Sequence, residues 1–244
     1  MNEFMFSIIT VAYNSADTIR DTIESVLNQT YDKYEYIIVD GKSKDNTLEI
    51  VKEYEEKFKG KLKYISEPDH GIYDAMNKGI SMAKGKLIGI INSDDWYEKD
   101  ALENIIHNYQ DDDYTVYYGY MRTIDSMNGK EIRCAIYNHE YIQEAMINHP
   151  TVFVSKKTYE KYGTYDCSYK SSADYEFVIR LVKSTKVKFI PIYNVQANFR
   201  TGGMSDSCDA LVETMKIKRK YGYMSKFQYI ASIIYLKARK LLRY

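Results

Sequence analysis

The chain has 244 residues, with 34 Lys or Arg against 34 Asp or Glu, and 45% of its residues are hydrophobic. This balance is typical of a soluble globular protein with a sizeable core, and it argues against a disordered chain or a basic nucleic-acid-binding protein. The three cysteines, Cys134, Cys167 and Cys208, are far apart and form no CxxC pair. Their spacing disfavours a disulfide framework or a zinc site and favours a reducing compartment.

The N-terminal stretch MNEFMFSIITVAYN has no basic segment, and its apolar run is too short for a signal peptide or a membrane span. No other window reaches about 18 uninterrupted apolar residues. We therefore expect a cytoplasmic protein.

The first half of the chain alternates between strand and helix patterns. Each strand pattern is an almost continuous apolar run, and Ser15 is a candidate N-cap for the first helix. Strands that are buried on both faces and alternate with helices imply a parallel sheet. We predict strands at 6–13, 34–40, 61–67 and 86–92, and helices at 15–29, 48–58 and 71–83.

The alternation of strand and helix patterns stops at the acidic run that ends at Asp113. We therefore divide the chain into a first part at 1–112, a second part at 113–205 and a tail at 206–244. The predicted fold class is α/β, with a Rossmann-like, mostly parallel central sheet flanked by helices and a C-terminal helical tail. In the second part we predict strands at 114–125 and 130–137 around a turn at Gly129, a helical stretch at 139–146, a loop at 147–154, a helix at 172–184 and a strand at 187–195.

Polar and acidic residues follow the predicted strands, at the edge where an open parallel sheet binds its ligands. Tyr13 follows the first strand, Asp40 ends the second, and the pair Asp94 and Asp95 follows the fourth. No GxGxxG or GxxxxGK[ST] motif is present, which argues against a dinucleotide site or a phosphate loop. An acidic edge suggests Mg²⁺ or Mn²⁺, which would neutralise a nucleotide diphosphate. The alternative is that Asp94 and Asp95 cap a helix after Trp96.

Four segments, SIITVAYN, VDGKSKDNT, SEPDHGIYDAMNKG and NSDDWY, occur in this order. With the chain around them, from about residue 5 to 205, they resemble family-2 glycosyltransferases of the glycosyltransferase-A fold, most closely bacterial enzymes that build surface polysaccharide of the colanic-acid type. The resemblance implies transfer of a sugar from a nucleotide-diphosphate donor to a glycan or lipid-linked acceptor, with inversion at the anomeric carbon. Residues 1–112 would then bind the donor and residues 113–205 the acceptor, and we favour UDP as the nucleotide.

The resemblance also assigns roles at the sheet edge. Ala12 and Tyr13 would line the base pocket, with the Tyr13 ring stacking on the base, and Asp40 would hydrogen-bond the base edge. Asp94 would lie against the ribose, and Asp95 would ligate the metal that bridges the diphosphate. Because NSDD departs from a strict Asp-x-Asp motif, only Asp95 is assigned to the metal.

Other positions are expected to contact the donor. Lys42 stands where the family motif more often has Gly, and its role is left open. For the residues between 69 and 78 the alternative is a helix cap or an exposed face. The donor contacts implied by the resemblance are Thr10, Asn14, Asp69, Asp74, Asn77, Lys78 and Arg200.

An inverting transfer needs a general base that takes the proton of the acceptor hydroxyl. The segment SSADYEFVIRL matches the family segment that supplies this base, which makes Asp174 the candidate and Glu176 its competitor on the acceptor side. Asp174 begins a helix, where the dipole favours a negative charge. Glu176 would point about 200° away, so both cannot face one acceptor.

Two further segments match the acceptor side and the donor lid of the family. His149 would contact the acceptor or the diphosphate, and the alternative is a hydrogen-bonded structural histidine. The stretch NFRTGGMS at 198–205 matches a Gly-Gly-x-Ser loop that closes over the diphosphate, with Arg200 adding charge. A connector to the tail is the alternative for this loop.

Residues 214–244 carry nine Lys or Arg and no acid, together with an apolar stripe at helical spacing. This combination is typical of an interfacial helix attracted to anionic lipid, at the inner face of the plasma membrane. The alternatives are a helix docked on its own domain or a homodimer interface. The competing function is a catalytically silent module that binds a nucleotide sugar or a glycan. The presence of both Asp95 and Asp174 argues against it. The stripe consists of Phe227, Ile230, Ile234, Ala238 and Leu241.

Overall fold

The first half of the chain forms a parallel sheet, as predicted. In the computed structural model, which describes residues 4–202 and 208–242, its elements are β1 (Phe6–Ala12), α1 (Ile19–Leu27), β2 (Tyr34–Asp40), α2 (Thr47–Glu53), β3 (Leu62–Ser66), α3 (Ile72–Met82) and β4 (Leu87–Ile90). The strands lie in the order β3-β2-β1-β4, all parallel. Ile9 of β1 lies between Ile37 and Ile90, so apolar side chains set the register of the central strands.

The second half extends the same sheet with strands of both directions. Its elements are β5 (Trp96–Tyr97), α4 (Ala101–His107), β6 (Thr115–Ile124), β7 (Glu131–Ala135), β8 (Phe153–Ser155), α5 (Lys156–Tyr162), α6 (Ala173–Lys183), β9 (Lys188–Arg200), α7 (Cys208–Lys220) and α8 (Lys226–Leu242). The order continues from β4 through β8, β6 and β9 to β5. β8 runs antiparallel to β4 and β6, whereas β9 runs parallel to β6. This mixed half brings the end of β9 back beside the residues that follow β4.

The parallel half of the sheet is covered on both faces, which is why its central strands β1, β2 and β4 are largely apolar and buried. Ile9 and Val11 of β1 face one core layer, which includes residues of α3 and α6. Phe6 and Ile8 face the other layer, against α1, α2 and α4. The two layers hold the strand ends rigid and leave their polar residues at one edge.

Several local predictions were wrong because they depend on tertiary contacts. The helix cap position before α1 is Thr18, and the carbonyl of Ser15 accepts from the Thr18 and Ile19 amides. The stretch predicted as a helix at 139–146 contains only the short 3₁₀ turn His139–Tyr141. β9 continues to Arg200, beyond the predicted end at 195, because it pairs with β6 along nearly its whole length.

Gly85 lies where a side chain would collide with β1. A Cβ there would stand 2.4 Å from the carbonyl carbon of Phe6 and 2.5 Å from the amide nitrogen of Ser7, and the Gly85 amide donates to the Ser7 hydroxyl at 2.8 Å. We expect Gly85→Ala to lower the free energy of unfolding by about 3 kcal/mol, measured by urea denaturation. The added Cβ would collide with the backbone of β1, which cannot move aside as a flexible side chain can. The control Lys84→Ala changes an exposed neighbour and should stay within about 0.5 kcal/mol of the parent. Equal stability of the two variants would contradict the close approach.

Candidate functional site

The loops that follow the parallel strands are joined by hydrogen bonds into one edge. The Gly41 amide donates to the carbonyl of Ala12 at 2.8 Å, which ties the end of β2 to the end of β1. The hydroxyls of Ser15 and Ser93 lie 2.7 Å apart and connect the loop after β1 to the loop after β4. The loops after β1, β2 and β4, which carry several of the predicted donor residues, therefore lie next to one another. The two serines are structural members of this edge that the sequence did not reveal.

Asp40 is fully buried at the end of β2 and is held in one orientation. Its carboxylate accepts from the amide and hydroxyl of Ser43 and, at 2.6 Å, from the hydroxyl of Ser66. These donors compensate the burial of the charge. The contact predicted between Asp40 and the nucleotide base stays a prediction. The Asp40 carboxylate that would make it is already oriented by Ser43 and Ser66.

Tyr13 presents an exposed ring at this edge, with 60% of its surface accessible. It stands beside Gly41, where a Cβ would lie 3.3 Å from the ring and 2.9 Å from the Asp69 carboxylate. Asn14 next to it has φ 51° and accepts at its side chain from the Lys44 amide at 2.8 Å. The geometry leaves the Tyr13 face free for a planar ring, while the Asn14 side chain shapes the loop.

Lys42 adopts a left-handed backbone conformation with φ 62°. Glycine takes this conformation without strain, whereas a residue with a Cβ does so at a cost. This accounts in physical terms for the glycine that the family motif more often has at this position. The exposed Lys42 side chain projects from the loop next to Asp40.

Thr10 lies in the interior of the sheet and not at its edge. It is fully buried, and its hydroxyl accepts from the hydroxyl of Tyr36 at 2.9 Å. The donor contact predicted for Thr10 is therefore wrong for its side chain, because the residue stands two positions before the strand end.

Asp95 is completely buried between β4 and β5. Its Oδ1 accepts from the backbone amide of Arg200 at 2.9 Å, and its Oδ2 is buried with no hydrogen-bond partner among the described residues. Burial, together with the charge of Asp94, raises the pKa of Asp95 well above its ordinary value. The Arg200 charge opposes this shift without outweighing it. An orphaned oxygen on a buried carboxylate is an environment that a cation would compensate. Capping of a helix by this pair is wrong, because α4 begins only at Ala101.

The residues present fit a hard divalent cation only in part. Within residues 4–202 and 208–242, no group of three or more His, Cys, Asp or Glu side chains could hold a metal. Asp94 beside Asp95 is half-buried, and burial raises its pKa while the Arg200 charge opposes the shift. A cation at the free oxygen of Asp95 would therefore take its remaining ligands from water and from substrate oxygens, as Mg²⁺ commonly does.

Arg200 approaches the site through its backbone and turns its side chain away from it. Its guanidinium pairs with Asp21 of α1 at 2.8 Å and lies over the Trp96 ring, 5.0 Å from the centroid. The diphosphate contact predicted for Arg200 stays a prediction, since its guanidinium is engaged by Asp21 and Trp96 in this structure. The rest of the predicted glycine loop, residues 203–205, lies outside the described residues. Asp21 carried no signal in the sequence, since its partner is 179 positions away.

The start of α3 is a cluster of charges around Lys78. Its ammonium lies 2.6 Å from Asp69, 2.9 Å from Glu67 and 3.6 Å from Asp74. Hydrogen bonds from Lys78 to Asp69 and Glu67 raise the pKa of the lysine. The Asp74 carboxylate also accepts from the His70 amide at 3.0 Å. The donor contacts of these residues remain predictions, and their present role is to fix the first turn of α3.

Asn77 links the two halves of the chain. Its amide donates to the carbonyl of Tyr165 at 2.9 Å, and its carbonyl accepts from the amide of the same residue at 3.0 Å. The Asn77 side chain thus makes a pair of hydrogen bonds with the backbone of Tyr165, like the pair that a neighbouring strand would make. These bonds join α3 to the segment before α6. A donor contact by Asn77 stays a prediction, since its amide is engaged elsewhere in this structure.

Asp174 lies in the first turn of α6 and is held from the other half of the chain. Its Oδ1 accepts from the Tyr73 hydroxyl at 2.8 Å. Tyr73 belongs to the first turn of α3, which follows β3, so this bond brings Asp174 to the edge where the parallel strands end. Burial lowers the pKa of His149, while the charge of Asp174 opposes that shift. Tyr73 is a site residue that the sequence placed inside the matched motif but did not single out.

Glu176 has a structural role, and its predicted acceptor-side role stays a prediction. It is buried, with one oxygen bound by Arg180 at 2.8 Å and the other by Lys220 at 3.3 Å and by the Tyr221 hydroxyl. Burial acts to raise the pKa of Glu176, but the hydrogen bonds from Tyr221 and Arg180 outweigh it and hold the pKa below its ordinary value. These contacts fasten the end of α7 to α6. These contacts occupy both oxygens of Glu176, which favours Asp174 as the candidate base.

Because Glu176 joins two helices, we expect Glu176→Gln to lower the free energy of unfolding by about 1–3 kcal/mol at pH 7, measured by urea denaturation. The ordinary carboxyl pKa is 4.5 and the folded pKa lies lower. The contribution is therefore present above pH 4.5 and declines as the pH falls through the folded pKa, so the difference between variant and parent should shrink in acid.

The exposed glutamate Glu160 on α5 supplies the matched control. Glu160→Gln should change the free energy of unfolding by less than about 0.5 kcal/mol. A Glu176→Gln variant as stable as this control would contradict the structural role.

Residues 7–172 match the family model described as Glycosyl transferase family 2. An uncharacterized glycosyltransferase of Rickettsia prowazekii is 29% identical over 199 residues, which cover 76% of this chain and 61% of the relative. The crystal structure of S. aureus TarS 1–349 in complex with UDP-GlcNAc has a TM-score of 0.72 at 19% identity, and the match covers 89% of this chain and 65% of that one.

A second solved structure is the mannosyltransferase PcManGT from Pyrobaculum calidifontis in complex with GDP-Man and Mn²⁺. Its TM-score is 0.68 at 17% identity, with coverage of 95% of this chain and 69% of that one. Both structures share the fold of this chain, which is the predicted glycosyltransferase-A fold. The chain spans less than two thirds of the length of TarS 1–349 and of the Rickettsia relative.

Proposed function

The chain belongs to glycosyl transferase family 2, and from this premise we propose that it transfers a sugar from a nucleotide-diphosphate donor to a hydroxyl of a glycan or lipid-linked acceptor. The observation that carries the proposal is the buried Asp95 with its unpartnered oxygen at the carboxyl edge of the parallel strands. A carboxylate in this state needs a positive partner, which a cation-bound diphosphate supplies. UDP is the proposed nucleotide.

The donor half would recognise the nucleoside. The exposed ring of Tyr13 offers a stacking face for the base, and Ala12 forms the wall beneath it. Asp40, oriented by Ser43 and Ser66, would accept from a base N–H. Asp94, half-buried beside Asp95, would accept from a ribose hydroxyl. Because the Asp40 carboxylate is already oriented, little conformational entropy of this group would be lost on binding.

Asp95 would hold Mn²⁺ or Mg²⁺ through its free Oδ2, with Oδ1 kept in place by the Arg200 amide. When bound, the cation would neutralise charge on the departing diphosphate. Support comes from the donor set, which is a hard oxygen ligand, and from PcManGT, whose structure contains Mn²⁺.

Asp174 would act as the general base. The acceptor oxygen would attack the anomeric carbon from the face opposite the diphosphate, its proton would pass to Asp174, and the bond from the anomeric carbon to the phosphate oxygen would break. This displacement inverts the configuration. The Tyr73 hydroxyl at 2.8 Å fixes the carboxylate by occupying Oδ1, which leaves Oδ2 for the acceptor. His149, whose pKa burial lowers, would stand nearby as a neutral acceptor-side group.

We expect a UDP-sugar with Mn²⁺ to raise the melting temperature of the protein more than GDP- or dTDP-sugars do. At a hundredfold excess over Kd the stabilisation is about 2.7 kcal/mol, or roughly 5–10 °C for a chain of this size. In Asp95→Ala the part of the shift that requires Mn²⁺ should disappear. In Asp113→Ala, which changes an exposed aspartate paired with Lys157, the shift should remain. No shift with any nucleotide sugar would contradict the proposed function, and an unchanged Mn²⁺ effect in Asp95→Ala would contradict the metal role.

For Asp174→Asn we expect donor binding to persist and turnover to fall about 10²–10⁴-fold, since only the proton acceptor is removed. Binding is measured by the same melting shift and turnover by release of the nucleoside diphosphate. Asp113→Asn makes the same chemical change at the surface and should keep full turnover. Near-normal turnover by Asp174→Asn would exclude it as the base. Donor binding by the parent without any turnover would instead favour a silent sugar-binding module.

A further inference from the structure

One face of α8 is apolar and exposed over its first three turns, from 227 to 235. Phe227 is 81% exposed, Ile230 45%, Ile234 62% and Tyr235 64%. Their spacing of three, four and one residues places them on a single stripe of the helix. Large apolar side chains that are exposed together mark an interaction surface. We call these four residues the α8 stripe.

The α8 stripe is not the face by which the helix docks on its own chain. α8 packs on α7, and there the Arg219 guanidinium lies over the ring of Tyr229, 5.3 Å from its centroid. Tyr229 is partly buried, in contrast to its neighbour Ile230. A different face of α8 therefore fixes its position, and the sequence-based alternative of a stripe docked on its own domain is wrong for the described part of the helix.

The charge around the α8 stripe is strongly positive. Residues 214–244 contain nine Lys or Arg and no acid, and since the whole chain is neutral the remainder carries a net charge of −9. Lys216 of α7 and Lys226 of α8 are exposed. Such a separation orients a protein at a negatively charged surface, because the basic end is attracted and the acidic body is repelled.

We propose that the α8 stripe inserts into the interfacial region of a bilayer that carries anionic lipid headgroups, with the surrounding basic residues on the headgroups. No described helix is long and apolar enough to cross a membrane, so the contact lies along the surface. A second copy of the chain fits less well, because pairing two such stripes would bring two highly basic segments together. The surface is independent of the proposed transferase activity.

The attachment of α7 gives this contact a defined place on the molecule. The Glu213 carboxylate accepts from the amides of Lys170 at 2.8 Å and Ser171 at 2.7 Å. These residues directly precede α6, which carries Asp174. A bilayer on the α8 stripe would thus be connected through α7 to the segment that directly precedes α6.

The test is vesicle co-sedimentation of the full chain with phosphatidylcholine alone and with phosphatidylcholine containing 30% phosphatidylglycerol (about a third of the lipid, enough to give a strongly anionic surface). We expect binding to the anionic vesicles only. Phe227→Gln/Ile234→Gln should lower the partition coefficient at least about tenfold, because two large apolar groups no longer enter the interface. Gln keeps helix propensity, and circular dichroism checks the fold.

Met127→Gln/Tyr193→Gln removes two apolar side chains that are 93% and 75% exposed elsewhere, and it should bind like the parent. Lys216→Glu/Lys226→Glu should weaken binding to anionic vesicles, as should high salt. The proposal is overturned if the parent binds neither vesicle, or if the stripe variant and the control bind equally. It is also overturned if light scattering finds a dimer that the stripe variant dissociates while the parent ignores vesicles, which would assign the stripe to a second copy.

Discussion

The buried carboxylate of Asp95 is the constraint around which the edge of the sheet is organised. A carboxylate removed from water is unfavourable unless donors or a cation compensate it. The fold supplies one donor, the Arg200 amide from the end of β9, and leaves the second oxygen open. The end of β9 must therefore lie beside Asp95, which is about a hundred positions earlier in the chain. The mixed topology of the second half, in which β9 runs between β6 and β5, achieves this return.

The two parts of the chain have different sequence patterns but share one sheet, and polar contacts join them. The polar contacts that cross from the first half to the second include those of Asp95 with Arg200, Asn77 with Tyr165, and Tyr73 with Asp174. The proposed donor and base groups are therefore positioned relative to each other by contacts that also join the two halves.

The strands of the first half could be predicted within about two residues because an apolar strand covered on both faces leaves an unambiguous pattern. Asp95 could be found for a related reason, since it directly follows such a strand. Thr10 was misplaced because the pattern does not tell how far from the edge a polar strand residue lies, and its partner Tyr36 is distant in sequence. Glu176 was read as a site residue because its clamp by Lys220 and Tyr221 depends on how α7 packs.

The tail combines two functions that its sequence pattern cannot separate. On α7, Lys220 and Glu213 are used inside the molecule, where they bind Glu176 and the backbone before α6. On α8, the apolar side chains point outward, and only the partly buried face meets α7. A basic amphipathic stretch thus divides into a helix that is anchored by its charges and a helix that is left with an exposed apolar face. Because Glu213 fastens the anchored helix to the backbone just before α6, a surface that binds α8 would lie at a defined place relative to α6.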